Sequence, residues 1–253
     1  MRINSNANAH NTMRNLQESK ERMKASMEKL SSGLKINRAA DDPAGLIISE
    51  QMRSQIATIE QEIKNIDMSD NKYSTSEGNL NTLQSDLHEM RNIAMAAANE
   101  GGNSEEAQEA YQQSLNDATQ GFNNTRDTAS YGTQKLLDGS AGSTNDIQPM
   151  ENLDVSTAQA AQESIEAIDA KLAEISQARG EIGSIQKNDL AARRDNLMTE
   201  LSNLTAAEST VRDTDMAREF TEFIKSEIQV KAGIAMLAQQ KQVPNLVMSF
   251  LQE

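Results

Sequence analysis

Two long stretches of this chain repeat apolar residues at helical spacing, and a single turn-rich stretch separates them. From Ile56 the apolar positions fall on threes, fours and sevens: Ile56, Ile59, Ile63, Ile66, Tyr73, Leu80, Leu83, Leu87 and Met90, with Asp70 and Glu77 at two seam positions. The series restarts at Ile165, Ile168, Leu172, Ile175, Ile182 and Ile185 and continues through Leu190, Leu197, Leu201, Leu204 and Val211. This is the coiled-coil period, and a stripe of that kind has to be covered by a partner helix. A helix from about Pro43 to Asn99 would be on the order of 80 Å long at about 1.5 Å per residue, so only a partner along its length could support it. Between the halves, Asp138-Gly139-Ser140-Ala141-Gly142-Ser143-Thr144-Asn145-Asp146 is turn chemistry. The expected fold is therefore predominantly all-α: an elongated antiparallel helical hairpin or coiled-coil rod, its termini meeting at one tip, with a small β-hairpin or turn region near the middle.

Composition fits seams better than a thick core. Of the 253 residues 3% are aromatic and none is Trp, while hydrophobic residues reach 37%, which leaves Leu, Ile, Met and Ala to fill helix interfaces. The absence of Cys excludes disulfides, thiolate metal sites and thiol nucleophiles together. A net charge of −14 argues against nucleic acid, because phosphate binding needs clustered Lys and Arg. The N-terminal segment is nevertheless locally basic, with Arg14, Lys20, Arg22, Lys24, Lys29, Lys35 and Arg38 outnumbering Glu18, Glu21 and Glu28. Such a helix can lie on a membrane or meet an acidic partner, and the favoured reading is a basic face that meets acidic copies of the same chain. Met1 to Gln17 is polar and Asn-rich, so no cleaved signal peptide is expected. No apolar run approaches the roughly 20 residues of a membrane span, and no membrane partner is expected.

The ends carry stripes of their own. Leu16, Met23, Met27, Leu30 and Leu34 keep to helical spacings. Asp42 before Pro43 is a helix start, combining a capping carboxylate with a residue whose missing N–H suits the first turn. Gly101-Gly102 is expected to end that helix, and Ser104 with Glu105 and Glu106 to open the next, which carries Leu115 and Phe122 toward Arg126. Ser156 with Gln159 reads as a capping box. The final segment, Phe220, Phe223, Ile224, Ile228, Ile234, Leu237, Val243, Val247 and Leu251, is more continuously apolar than a lone surface helix should be. Burial by other chains is expected for it, with Pro244 interrupting the helix late and Ala232 to Ala238 allowing close helix approach.

Chemistry is hard to find. The two histidines, His10 and His88, lie in segments not expected to meet, which leaves almost nothing for a metal triad or a catalytic triad. The pairs Asp41-Asp42, Glu105-Glu106 and Asp213-Asp215 each sit where a helix begins, so capping outweighs acid–base or metal roles. No glycine loop leads into a Lys-Ser or Lys-Thr helix. The methionines Met13, Met23 and Met27 suggest an adaptable groove or, more simply, ordinary packing. No catalytic, metal or cofactor residue is assigned, and the chain is not expected to be an enzyme.

At Lys29-Leu30-Ser31-Ser32-Gly33-Leu34-Lys35-Ile36-Asn37-Arg38-Ala39-Ala40-Asp41-Asp42-Pro43-Ala44-Gly45-Leu46 the chain resembles bacterial flagellin. Further matches lie at Lys135-Leu136-Leu137-Asp138-Gly139, at Asp213-Thr214-Asp215-Met216-Ala217 and at Ala232-Gly233-Ile234-Ala235-Met236-Leu237-Ala238-Gln239-Gln240 through Gln242-Val243-Pro244. The resemblance covers nearly the whole chain and lacks the large variable insertion of many relatives. It implies a structural subunit, exported unfolded through the flagellar type III channel, that self-polymerises into a filament for motility. Segments 1–42 and 213–253 would pack together as the filament core, with 43–212 as the helical rod and its hairpin region at about 131–155. The terminal stripes would serve self-assembly, and Ile56, Ile59, Ile63, Ile66, Tyr73, Leu80, Leu87, Ile168, Leu172, Ile175, Ile182, Leu197, Leu201 and Leu204 would form the rod seam.

Implied partners are further copies of the chain, an export chaperone, and the hook–filament junction and cap proteins. The implied location is an extracellular flagellum, a periplasmic one being the other location that fits a short chain. Two other readings compete: a junction protein, which typically departs from the Asn-Arg-Ala-Ala-Asp-Asp-Pro-Ala-Gly pattern intact here, and a generic coiled-coil scaffold, which leaves the terminal matches unexplained. Flagellins detected by the innate-immune receptor, Toll-like receptor five, present a basic residue and a leucine on one rod helix and a glutamate on the next. Aligned through Leu87 to Ala94, this chain has Glu89 where the arginine is expected and Ile93 as the apolar contact, with Ser114 in place of the glutamate, which implies weak recognition.

Overall fold

The computed structural model describes residues 7–99, 102–140, 142, 144–151 and 153–250, with no side-chain description for 7–8 and 241–250. The described residues form six α-helices, α1 (Ala7–Ser32), α2 (Pro43–Ala97), α3 (Glu105–Thr128), α4 (Ala158–Ser184), α5 (Ala191–Arg212) and α6 (Met216–Phe250), together with a hairpin of β1 (Ser130–Tyr131) and β2 (Gln134–Lys135). The described chain is thus predominantly helical with one small β-hairpin. It divides into two compact units, Met1–Thr58 with Glu200–Glu253, and Ile59–Thr199.

The second unit is built on a line of α2 residues spaced by sevens. Leu80, Leu87 and Ala94 are fully buried, Ile59 and Ile66 nearly so, and Tyr73 is half-buried. Ile63 sits half-buried on the flank of that line. The facing line on α4 is Ile168, Ile175 and Ile182, all buried, with Leu172 packed at its edge. The helices are antiparallel: Arg91 forks onto Asp169 at 2.7 and 3.3 Å, Arg179 reaches Gln84, and Arg194 reaches Asp67 at 3.0 Å.

On the α4 side the heptad contains one extra residue. After Ile182 a strict repeat would place Asp189 in the seam, yet Asp189 is exposed and Leu190 is buried. The surplus residue is absorbed by a π-helical turn at Ile185–Leu190, where the Ala191 N–H bonds back five residues to the Gln186 carbonyl. From Leu190 the sevens resume at Leu197 and Leu204, half-buried like Leu201.

The non-helical stretch before α4 is ordered by α3. Gln112 accepts from the Val155 N–H at 2.7 Å and donates to the Leu153 carbonyl at 2.8 Å, and Asn123 does the same for the Met150 N–H and carbonyl at 2.8 and 2.9 Å. Gln108 and Arg126 donate to the Val155 and Ile147 carbonyls. The side-chain amides thus stand in for a strand partner, satisfying backbone groups that burial would otherwise strand. Ile147, Met150, Leu153 and Val155 are then free to enter the core with Leu115 and Phe122.

Two local expectations are corrected. Thr157, not Ser156, caps α4, its side chain accepting from the Ala160 N–H, while the Ser156 N–H is taken by Asp154. Helix α6 continues through Pro244 to Phe250 rather than being interrupted there. Ser104 caps α3 as its sequence requires, and Pro43 opens α2 with Asp42 accepting from the Gly45 N–H at 2.9 Å.

The π turn yields a test. Deleting Asn188 should convert it into ordinary α-helix while keeping Leu190 in the seam, leaving the thermal midpoint unchanged or raised by circular dichroism. Deleting Ser176 should turn Ile182 out of the seam and cost about 2–4 kcal/mol. Equal losses for the two deletions would refute the role of the π turn.

Candidate functional site

In the first unit α1 and α6 lie antiparallel. Thr12 accepts from Gln240 at 3.3 Å, Ser19 approaches Gln229 at 3.4 Å, and Leu16 packs on Gly233. The fully buried positions of this interface are small. The buried residues with described side chains are Ser19 and Ser26 on α1 and Ser226 and Val230 on α6. Leu16, Met23, Leu30, Phe223, Ile224 and Leu237 are half-buried, as is Leu34 just beyond α1. Met27, Phe220, Ile228 and Ile234 are half exposed or more, at 52%, 56%, 61% and 52%. Leu251 lies outside the described residues, as do the side chains of Val243 and Val247.

The missed signal is a second set of sevens, Ser19 and Ser26 on α1 and Gly33 just past its end. Small side chains let the helices approach closely, and the large ones are left on the outer faces. Met13, Met216 and Met236 extend those faces at 63%, 48% and 58% exposure.

The lower end of the pair is fixed by a strand-like crossing. Gly33 ends α1 at φ +74°, a conformation that other residues adopt only under strain. Leu34 then bridges Asp213, with the Lys35 N–H donating to the Arg212 carbonyl at 2.7 Å and the Thr214 N–H to the Gly33 carbonyl at 2.9 Å. Asp41 accepts from the Asn37 and Arg38 N–H groups, which hold its carboxyl below the usual range, Arg38 contributing most. Gly45 is required for space: a Cβ there would lie 2.7 Å from Ile36 Cδ1 and 2.5 Å from Asp42 Oδ2. The carboxylate pairs in these segments therefore act as caps and turn braces. Among the described residues no group of three or more His, Cys, Asp or Glu is placed to hold a metal ion, and no helix is long and apolar enough to cross a membrane.

In the second unit Glu89, Ile93 and Ser114 come together along one open groove of 670 Å³, which Asp86, Tyr111 and Asp117 also line. Burial, with the Glu89 charge beside it, pushes the Asp86 carboxyl up. Arg91 is turned onto Asp169 and takes no part in lining the groove.

These two helical ends and this groove belong to a recognisable family. Residues 3–142 match the family described as "Bacterial flagellin N-terminal helical region", and residues 165–251 match "Bacterial flagellin C-terminal helical region". The chain belongs to the bacterial flagellin family. It is 37% identical to a flagellin of Halalkalibacterium halodurans over 99% of this chain and 100% of that one, and 32% identical to a flagellin of Bacillus subtilis over the same shares. It is also 31% identical to the flagellar filament 31.3 kDa core protein of Treponema maltophilum, over 89% of this chain and 91% of that one. This flagellin is a structural subunit of a flagellar filament, a structure found outside the cell or in the periplasm. Nothing favours the junction-protein or scaffold readings.

The Arg212 guanidinium, 2.8 Å from Glu50, holds the Glu50 carboxyl below its ordinary value of 4.5, with Arg53 adding to the effect. A depressed carboxyl stabilises the fold above its unfolded pKa and loses that contribution as pH falls through the lower folded value. Arg212→Gln should therefore lower the melting temperature near about pH 7, and the gap to wild type should close as pH is taken below about 4. A gap independent of pH would assign Arg212 a packing role instead.

Proposed function

We propose that the filament of this flagellin is held together by the outward faces of α1 and α6, buried against the same helices of neighbouring copies. The observation that carries this reading is the make-up of that helix pair: its buried described side chains are Ser19, Ser26, Ser226 and Val230, while Met13, Met27, Phe220, Ile228, Ile234 and Met236 are more than half exposed. Exposed apolar faces of this size on a soluble chain are sites of association. Leu16, Met23, Met27, Leu30, Leu34, Phe220, Phe223, Ile224, Ile228, Ile234, Leu237, Val243, Val247 and Leu251 are the self-assembly residues, with 1–42 and 213–253 as filament-core segments and 43–212 as the rod. Assembly takes place in an extracellular flagellum, with an export chaperone and the junction and cap proteins as partners. The protein carries no enzymatic activity.

The double variant Ile228→Asp, Ile234→Asp should leave helicity intact and abolish filaments under the electron microscope, because each charge would be buried without a partner. Filaments of normal length from that variant would sink the assignment.

Recognition by the innate-immune flagellin receptor is proposed to be weak. The groove that gathers Glu89, Ile93 and Ser114 is lined by three carboxylates, with no cation where an arginine is expected, and reversing a charge at an interface leaves the partner's charge unpaired or repelled. Reporter cells given soluble chain should respond feebly, and the double variant Glu89→Arg, Ser114→Glu should gain potency. Wild-type potency equal to that of an enteric flagellin would refute this.

A further inference from the structure

The chain has no Cys and no Trp, but it has 13 methionines. Its thioethers are therefore the side chains that a peroxide oxidises first, and their placement decides what that oxidation does. Among the described residues seven methionines are exposed, and they fall into two sets. Met13, Met27, Met216 and Met236 belong to the first unit, three of them on α1 and α6 at more than half exposure and Met216 at the first residue of α6. Met68, Met95 and Met198 belong to the second unit and are similarly open, at 53%, 50% and 47%. Met90 and Met150 are buried.

The open sulfurs are not equivalent. Met95 Sδ accepts from Arg91 Nη1 at 3.2 Å, while Arg91 Nε and Nη2 are held by Asp169. A sulfur whose lone pair is engaged by a cation is a poorer nucleophile. No described residue donates to the sulfur of Met13, Met27, Met216 or Met236, so these four combine an open approach with an unengaged lone pair. Met13 and Met27 lie two heptads apart on α1 and so share one face of that helix.

We propose that Met13, Met27, Met216 and Met236 are a reversible oxidation site that controls assembly. This rests on the filament reading, in which the outward faces of α1 and α6 are buried against neighbouring copies. The oxidant is a peroxide. The thioether sulfur attacks one peroxide oxygen, the O–O bond breaks as the S–O bond forms, and the hydroxide released takes the proton from the transferred oxygen and leaves as water. Sulfur gives up two electrons and the peroxide is reduced by two. A dipolar sulfoxide then stands where an apolar thioether would be covered, and covering it without a donor carries the cost of any unpaired polar group. As thioethers the four admit the soluble chain to the polymer, as sulfoxides they exclude it, and in the polymer they are shielded from the oxidant.

The test treats the full chain, soluble and assembled, with hydrogen peroxide and reads sulfoxide at each methionine by peptide mass spectrometry. In the soluble chain the four should oxidise ahead of Met95, Met90 and Met150. The oxidised chain should need about tenfold or more protein to assemble, the factor that one unpaired polar group implies. Methionine sulfoxide reductases A and B together should reverse this. When partly oxidised chain is allowed to assemble and the fractions are separated, sulfoxide at the four should be enriched in the unassembled fraction, and sulfoxide at Met68 and Met198 should not. Replacing the four by leucine, which keeps size and apolarity, should make assembly insensitive to peroxide. Sulfoxide at the four divided equally between the fractions would overturn the site, as would a four-leucine variant that assembles untreated but loses assembly on oxidation as wild type does. Those results with the four shielded in the filament would leave the filament reading standing, whereas equal oxidation of the four in filament and soluble chain would refute that reading and the site with it.

Discussion

The second unit depends on one line of side chains on α2, repeated every seven residues without a break from Ile59 to Ala94. An unbroken line fixes which face of α2 is covered, and every other element adjusts to it. Helix α4 supplies Ile168, Ile175 and Ile182 in phase. When its own sequence carries one residue too many, the backbone takes up the surplus as a π turn rather than letting Leu190 leave the interface. Loss of regular α-helical hydrogen bonding over one turn costs less than exposing a leucine and burying an aspartate in its place.

Helix α3 illustrates a second constraint, the need to satisfy backbone groups wherever the chain is not helical. The stretch from Ile147 to Val155 buries Ile147, Met150, Leu153 and Val155, and among the described residues no strand lies beside it. Gln112 and Asn123 each present a donor and an acceptor at the spacing of a peptide unit, and each binds the main chain through both. A carboxylate or an aliphatic residue at either position would satisfy at most one of the two. The turn-rich middle of the chain is therefore anchored by side-chain amides on a helix.

The long heptads, the starts of α2 and α3 and the small hairpin were legible because each rests on local rules: apolar period, capping residue, glycine at a turn. The π turn was legible in principle, since Ile182 and Leu190 are eight apart where the seam needs seven, but a list of apolar residues hides a phase slip that a count of intervals exposes. The amide clamp was not legible, because glutamine and asparagine on a helix surface look like solvation until the segment they hold is placed. Thr157 took the cap from Ser156 because both can serve and the choice turns on one residue of helix length. Around α1 and α6 the apolar stripes were read as surfaces for other chains to cover, and what went unread was the line of serines between the two helices. Periodicity locates a helical face and says nothing about whether the same chain or another one covers it.

That last distinction governs how the two units relate to function. In the second unit most of the leucines and isoleucines lie inside. In the first, Ser19 and Ser26 occupy the inner positions of α1, and Ser19 returns its hydroxyl to the Asn15 carbonyl at 2.8 Å, so close approach costs little in stranded polarity. Serine contributes almost no transfer free energy, however, and a helix pair packed on serine gains little from pairing alone. Several large apolar side chains of α1 and α6, among them Met27, Phe220, Ile228 and Ile234, are left more than half exposed by the pairing. A partner that binds only the folded pair stabilises it by mass action, in proportion to the logarithm of its concentration. If the partner is another copy of the chain, folding of these helices and growth of the polymer become one equilibrium, and ordering of the ends is favoured where subunits are concentrated and disfavoured where they are dilute.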